Sequence, residues 1–486
     1  MKRPLLVVAA AAAALLAGCA VGPRYQRPTA QVPATWKGEG PWQTAVPKDS
    51  ISKGAWWQIF HDAELDRLEQ DLLQANQSLL AARDRLSQAR SLARIATSAF
   101  FPQLNADPNA LRERFSGNRP LSLSPKPVTQ SAFTVPFSAS YEVDLFGSVR
   151  RNLEAANASL QSSAADLENV RLVLTAELAA DYFNLRELDR EADVVRQSVE
   201  IQQKGLDLVN NRHEGGVASG LEVAQQAALL DATATQLSLV EQQRAQYEHA
   251  IAVLVGKPAS AFTLASAPFD ATPPPIPTGV PSEVLERRPD IATSERQMAF
   301  ENAQVGIAAA AFYPHITLSG SGGWESRDLA TLVNAPSAFW SIGGDLLQPI
   351  FNGGRNRANL AATRAAYDES VANYRQSVLV AFQQVEDGLS GLALLNQAAK
   401  TQQTAVEDSR RALDIANNRY VGGLTTYLDV ITAQTVLLNN QRLATQLLGQ
   451  QMVTSVYLVK ALGGGWDTSQ IQQEQVRPAL VQAIQQ

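Results

Sequence analysis

The sequence predicts a mainly α-helical protein, built twice over in tandem, whose few strands have the character of a transmembrane β-barrel. Three observations lead there. The phrase NNRHEGG at 210–216 returns as NNRYVGG at 417–423. Long stretches carry an apolar residue at every seventh position, one of them free of glycine and proline throughout. And SAFTVPFSASYEVD at 131–144 alternates apolar and polar side chains with a period of 2.

Bulk properties narrow the function. A chain of 486 residues is long enough for two or three domains. Its formal net charge of −6 supplies no basic stripe for phosphates, so no nucleic-acid partner is expected. A single cysteine rules out an intramolecular disulfide and a thiolate metal cage. His61, His213, His249 and His315 are scattered, and no HExxH, P-loop or GxSxG occurs. GSGG at 320–323 lacks the GxGxxG spacing. An enzyme reading has nothing to stand on: no catalytic residue, cofactor or metal is expected.

The chain begins with MKR, a positive n-region, and LLVVAAAAAALLA at 5–17, an apolar run too short to span a membrane in the mature protein. LAGC then sets small residues directly before Cys19, the arrangement of a bacterial lipobox. The alternative is a plain signal peptide followed by a coincidental cysteine. Because the only cysteine stands at the one useful position, residues 1–18 read as a signal peptide and Cys19 as the acylated residue. Several acyl chains together anchor a protein stably. Ala20 follows instead of Asp, which in sorted lipoproteins points to the outer membrane. Residues 19–61 form a lipid-anchored tether.

The duplication shows in four landmarks. AFFP (99–102) matches AFYP (311–314) at an offset of 212, and LFGSVR (145–150) matches IFNGGR (350–355) at 205. NNRHEGGVASGLEV matches NNRYVGGLTTYLDV at 207, and VG at 255–256 matches LG at 462–463, also at 207. The repeats are thus 62–256 and 282–465, with a proline-rich connector at 257–281 and a Gln-rich, solvated tail at 466–486.

Each repeat has the same order of elements. A helix (63–98, 282–310) leads to AFFP or AFYP, where Pro102 and Pro314 redirect the chain. Strands follow near 103–115 and 131–144, and near 315–325 and 338–348. Gly147, Gly353 and Gly354 mark a close-packed return to helix. Then Leu153, Leu160, Leu167 and Leu174 recur every seven residues, and so do Val371, Val378, Val385 and Leu392, which is coiled-coil spacing. A helix from 148 to 211 would be about 95 Å long. Gly215 and Gly216, like Gly422 and Gly423, stop it and turn the chain into a second helix, since Asn tolerates left-handed geometry and Gly supplies it. The repeated phrase is one hairpin tip made twice.

Four strands cannot close a barrel, for which about eight are the minimum. Either the sheet packs against the helices or several copies pool their strands. Helices of about 95 Å are poor lids for strands of about 35 Å, which favours pooling.

Taken together, LAGCAVGPRYQRP, AFFP, YEVDLFG, RRPDI (287–291), AFYPHITLSGSGG, PIFNGGR, AFQQVEDGL and ALGGGW resemble the TolC-like outer-membrane factors, most closely the lipoprotein branch of multidrug efflux systems. The resemblance spans essentially the whole mature chain. It implies a homotrimer with a twelve-stranded barrel and an α-helical tunnel through the periplasm, lipid-anchored in the outer membrane of a Gram-negative bacterium. It implies a passive exit duct for drugs or other small toxic compounds. An inner-membrane pump, of the resistance–nodulation–division class, would deliver them through a periplasmic adaptor protein. No cofactor is implied.

The same resemblance places a periplasmic gate at the tips. Tyr420 falls on the family's tip tyrosine and Asp429 on its ring aspartate, and Glu222 holds the equivalent of Asp429 in the first repeat. The family's tip arginine and second aspartate are replaced by Thr425 and Thr432. Glu222 and Asp429 also suit the positive N-terminus of a helix, which alone would place acids there. Trp56, Trp57 and Trp466 read as packing residues, and Arg288 and Asp290 as a brace at the start of the fifth helix. Three rivals stand beside the efflux duct: the outer-membrane duct of type I protein secretion, a pore-free coiled-coil scaffold, and an enzyme.

Overall fold

The tandem duplication dictates the architecture, and the computed structural model shows it element by element. It describes residues 20–29, 32–33, 36–37, 54–118, 126–269, 271–276, 287–466 and 475–477. The signal peptide, Cys19 and residues 277–281 of the connector lie outside the described residues.

The helices are α1 (Ala63–Ala75), α2 (Gln77–Ser98), α3 (Ser148–Glu214) and α4 (Gly220–Leu254) in the first repeat, and α5 (Pro289–Ala310), α6 (Arg355–Val421) and α7 (Tyr427–Ala461) in the second. The strands are β1 (Gln103–Ala106), β2 (Asn109–Phe115), β3 (Val128–Val143), β4 (His315–Ser326) and β5 (Ala338–Leu347). Helices α3 and α6 each have 67 residues, so each is about 100 Å long. Helices α4 and α7 each have 35.

The helix expected over 63–98 is two helices. Asn76 has φ −66° and ψ 123°, which breaks the ladder. Its side chain accepts from the Leu79 amide and donates to the Leu254 carbonyl, so the break is capped and tied to the end of α4.

All strands are antiparallel in one sheet, in the order β1, β3, β4, β5, with β2 also on β3. β1 and β2 are one run interrupted at Asp107–Pro108; the Asp107 amide still donates to Pro136 across the gap. Four runs are therefore present among the described residues, as expected. Pro136 stays inside β3 because Gly323 faces it: a Cβ there would lie 2.1 Å from the Val135 carbonyl oxygen.

One landmark is corrected. The helix caps Gly147 (φ 85°) and Gly354 (φ 88°) are equivalent, at an offset of 207. Gln103 faces Ser140 while His315 faces Leu347, so β3 and β5 are also offset by 207. The match of LFG to IFN at 205 is a likeness of letters only. Close packing explains Gly147, where a Cβ would strike Ala20, but not Gly353 or Gly354, which have open space and need only their positive φ.

The core follows the heptads. Leu153, Leu160, Val378, Val385 and Leu392 are buried. The main cluster joins Trp56, Leu65, Leu68, Leu72, Phe183, Ile251, Met452 and Val456 around the middle of α3. Trp57 and Trp466 are buried too. Arg288 braces α5 with two hydrogen bonds to Asp290 and others to Gln384 and the Ala461 carbonyl.

The described stretches of the tether and connector are tied to the helices by specific contacts. Gly22 crosses Gly306 with no room for a Cβ, and the Tyr25 hydroxyl donates to Glu295 at 2.6 Å. Arg186, Arg190 and Arg244 donate to the carbonyls of Ala265, Phe269 and Leu264 in the connector. At 475–477 the expected solvated tail is docked: Val476 exchanges two hydrogen bonds with Asn157.

A buried acid gives this core a pH dependence. Glu187 lies under Gly449, with one carboxylate oxygen unpartnered, and burial together with the Glu191 charge pushes its pKa from 4.5 to about 8. A carboxyl that binds its proton more tightly in the fold than in the unfolded chain stabilises less as pH rises. Its penalty is absent below pH 4.5 and complete above about 8. Glu187→Gln should therefore raise the thermal midpoint above pH 8, by about 1 kcal/mol of stability, and change it little below 4.5. A uniform shift at every pH in calorimetry would contradict this.

Candidate functional site at the hairpin tips

The two tips are built from the same bonds. The Gly215 amide donates to the Asn211 carbonyl and Gly216 to His213; Gly422 donates to Asn418 and Gly423 to Tyr420. Asn211 and Asn418 are helical acceptors here, and the left-handed geometry is supplied by glycine, as expected. Of each glycine pair only the second has positive φ, 75° at Gly216 and 72° at Gly423. Gly215 and Gly422 sit at −76° and −77°, where other residues fit.

Between the tips the repeats meet through Tyr420. Its ring packs beneath the Arg212 guanidinium at 4.7 Å, and its hydroxyl donates to Glu222 at 3.3 Å. Tyr427 lies 4.8 Å from it, ring to ring, within an apolar cluster of Val209, Ala218, Leu413 and Val430. Burial, reinforced by Glu222, raises the pKa of Tyr420, and burial pushes Tyr427 up to about 12. Both phenols keep their protons, so Tyr420 is a donor and Glu222 its acceptor. Beneath them Gln226 donates to the Gln202 carbonyl at 2.7 Å, and Gly205 makes room for the Tyr427 hydroxyl.

Two of the three expected gate residues, Tyr420 and Glu222, are therefore together. Asp429 is apart from them. It is exposed, in the first turn of α7, and accepts a hydrogen bond from Thr425. Arg212 and Tyr427 were not singled out in the sequence. Arg212 could have been, as the third letter of the repeated NNR; Tyr427 follows a turn and carries no distinguishing pattern. The arrangement offers a donor, acceptors and exposed charge. Among the described residues no group of three His, Cys, Asp or Glu side chains is placed to hold a metal.

Comparison with known proteins gives this geometry its context. The model of the family described as outer membrane efflux protein matches residues 68–257 and 280–464. The chain is 35% identical over 458 residues to the pyoverdine export outer membrane protein OpmQ of Pseudomonas aeruginosa, covering 93% of this chain and 95% of that one. It is 32% identical over 475 residues to the toluene efflux pump outer membrane protein TtgF of Pseudomonas putida, covering 96% and 98%. Among solved structures, the outer-membrane channel OprN superposes with a TM-score of 0.85 at 28% identity, over 92% of this chain and all of that one. The CmeC outer membrane channel of Campylobacter jejuni gives 0.88 at 26% identity, over 94% and 99%.

The tip backbone has a measurable consequence. Gly423→Ala forces a Cβ into left-handed geometry and should weaken the second tip by about 1–2 kcal/mol. Gly422→Ala, at negative φ with its nearest contact at 3.4 Å, should be tolerated. Amide hydrogen exchange at 419–426 reads the difference; equal protection in both variants would contradict it.

Proposed function

The chain belongs to the outer membrane efflux protein family, and from that premise we propose that three copies form a passive exit duct through the outer membrane and across the periplasm. The observation that carries this reading is the sheet: four runs with two open edges, standing on helices of 67 residues. Three copies pool twelve runs, enough to close a barrel whose backbone groups are all paired in lipid. The hairpins extend the duct toward a periplasmic adaptor and an inner-membrane pump of the resistance–nodulation–division class, which supplies the energy. Cys19 carries the acyl chains.

Relatives named for pyoverdine export and toluene efflux support small compounds as cargo, and they lend nothing to the protein-secretion rival. Cargo passes unchanged, so neither catalysis nor a cofactor enters.

At the periplasmic end, Tyr420, Glu222 and Arg212 act as a latch that ties the second hairpin to the first. Asp429, repeated by symmetry, forms an acidic ring that collects cations. Glycines 215, 216, 422 and 423 shape the turns that carry these groups.

Single-channel conductance, with the oligomer mass taken from the same sample, tests the duct. A trimer with small, mostly closed, cation-preferring channels is expected; a monomer without conductance would end the reading. Tyr420→Phe removes the bond to Glu222, worth about 1 kcal/mol in each copy, and should raise the open fraction about fivefold or more. Asp429→Asn should lower the preference for cations and weaken their block of the closed pore. Unchanged recordings from both variants would remove the gate assignment while leaving the duct in place.

A further inference from the structure

Around its middle, helix α3 is covered on one side and open on the other. On the covered side Thr175 accepts from the Trp56 indole of the tether, and Arg186 donates to the Ala265 carbonyl of the connector. At about 100° per residue, a step of nine residues ends on the opposite side of a helix. Asn184 therefore stands opposite Thr175, Glu177 stands opposite Arg186, and Asp181 lies between Glu177 and Asn184. On this open side α3 and α4 border a cleft of about 390 Å³, a size common for small-molecule sites. Its walls include Asp181, Asn184, Glu187 and Leu188 on α3, and Gln243 and Tyr247 on α4.

The acids of this cleft lack a cation. Asp181 is half-buried and makes no hydrogen bond or ion pair among the described residues. Glu187 is only 9% exposed, and its Oε1 has no partner. No lysine or arginine stands among the lining residues, and the nearby Arg442 is committed to Glu191 at 2.6 Å. Burial and the Glu177 charge push the pKa of Asp181 from 3.8 to about 6. A positive charge in the cleft would offset that cost by attracting both carboxylates. Tyr247 keeps its proton, since burial raises its pKa and Asp181 and Glu187 add to the effect. A neutral phenol ring draws a cation to its face, and Leu188 offers apolar contact beside it.

The duplication supplies an internal comparison. In the second repeat α6 and α7 border a cleft in the equivalent place: Gly388 and Thr454 line it, 207 residues on from Asp181 and Tyr247. This second cleft also has an acid and a ring, Asp387 and Tyr457, and it contains its own cation, Lys460. The Lys460 ammonium lies 5.9 Å from the centre of the Tyr457 ring. Lys460 follows Tyr457 by three residues, a spacing that makes helical side chains neighbours. Three residues after Tyr247 stands Ala250, which lines the first cleft and carries no charge. One cleft has a built-in ammonium; the other has the acids and the ring without it.

We propose, building on the duct reading, that the cleft of the first repeat binds an organic cation with an apolar body, and that such cargo pauses there on the wall of the passage. Asp181 and Glu187 take the charge, and Tyr247 and Leu188 take the body. Among the described residues no group of three His, Cys, Asp or Glu side chains is placed to hold a metal, and the cleft is far larger than a bare ion. The cation is therefore one carried on an organic frame. In a three-copy duct, α1, the tether and the connector lie outside, because inside they would fill the passage. The cleft, on the opposite side of α3, then opens on the lumen.

Ethidium, a fused-ring cation that fluoresces more brightly out of water, tests the inference on the full-length protein in nonionic detergent. Phenanthridine, the same ring system without the charge, is the reference. Ethidium should bind about tenfold or more tightly than phenanthridine, and Asp181→Asn should remove about that factor. Tyr247→Leu should weaken binding about fivefold, whereas Tyr247→Phe, which keeps the ring, should change it less than about twofold. Ala250→Lys builds in the ammonium that the second repeat has and should displace ethidium. Asp429→Asn, at the tips, should leave this binding in place. For the lumenal placement, Asp181→Cys treated with a positively charged thiosulfonate should lower the single-channel current; the parent with Cys19 is the control. Oligomer mass and conductance are measured for every variant. Conducting trimers that bind ethidium no better than phenanthridine, or equally well after Asp181→Asn, overturn the proposal and leave the duct intact. Binding lost with Asp429→Asn instead would put the cation at the tips and overturn it too. An unaltered current after modification overturns the lumenal placement. Monomers without conductance would sink the duct reading, and with it the passage of cargo, whatever they bind.

Discussion

Burial along a single helix holds this molecule together. Helix α3 packs on α1, α2 and α4 of its own repeat and on α5 and α7 of the other. Its heptad leucines supply the seam, and Phe183, Leu178 and Leu185 at its centre are buried. Because α3 is continuous from the sheet to the tip, it fixes the distance between the two and the angle at which the hairpin leaves the sheet. The connector is fastened to it by arginines, and the docked stretch of the tail by Asn157. Apolar burial sets the frame, and polar contacts decide how the peripheral segments lie on it.

Much of this was legible in the sequence because repetition and periodicity are local signals. The heptads gave the long helices, the period of 2 gave β3 and β5, and NNRxxGG gave the tips. What was misread depended on contacts between distant residues. The break at Asn76 is tied by the Leu254 carbonyl, and locally only the capping preference of Asn marks it. The tether and tail look like loops in composition, yet in their described stretches Tyr25 and Val476 bond to partners hundreds of residues away. The offset of LFG to IFN was misjudged because similar letters outweighed register, which only the strand pairing reveals.

At the tip, Tyr420 and Glu222 were found by resemblance and they do meet. Their association needs Arg212 above the ring and Tyr427 beside it, and neither stands out by residue type. Two tyrosines that hold their protons, one of them joined to a carboxylate, make a contact set by packing as much as by charge. Asp429 shares the sequence position of Glu222 but not its surroundings, since it lies open and accepts from Thr425 in its own turn. Duplicated sequence has produced two tips of the same backbone and different chemistry.

The N-terminal strap has a consequence of its own. Ala20 rests where a side chain on Gly147 would have to go, and the Val21 amide donates to the Phe146 carbonyl. That junction, where strand gives way to helix and Phe146 stacks on Tyr313, marks the level at which the sheet ends. The residue that would bear the fatty acids immediately precedes Ala20. The strap thus holds Ala20 level with the foot of the sheet, and the acyl anchor proposed for the residue before it would be rooted near that level. A bulkier residue at 147 would push Ala20 off this junction and loosen the strap from the foot of the sheet, far from the hairpin tips.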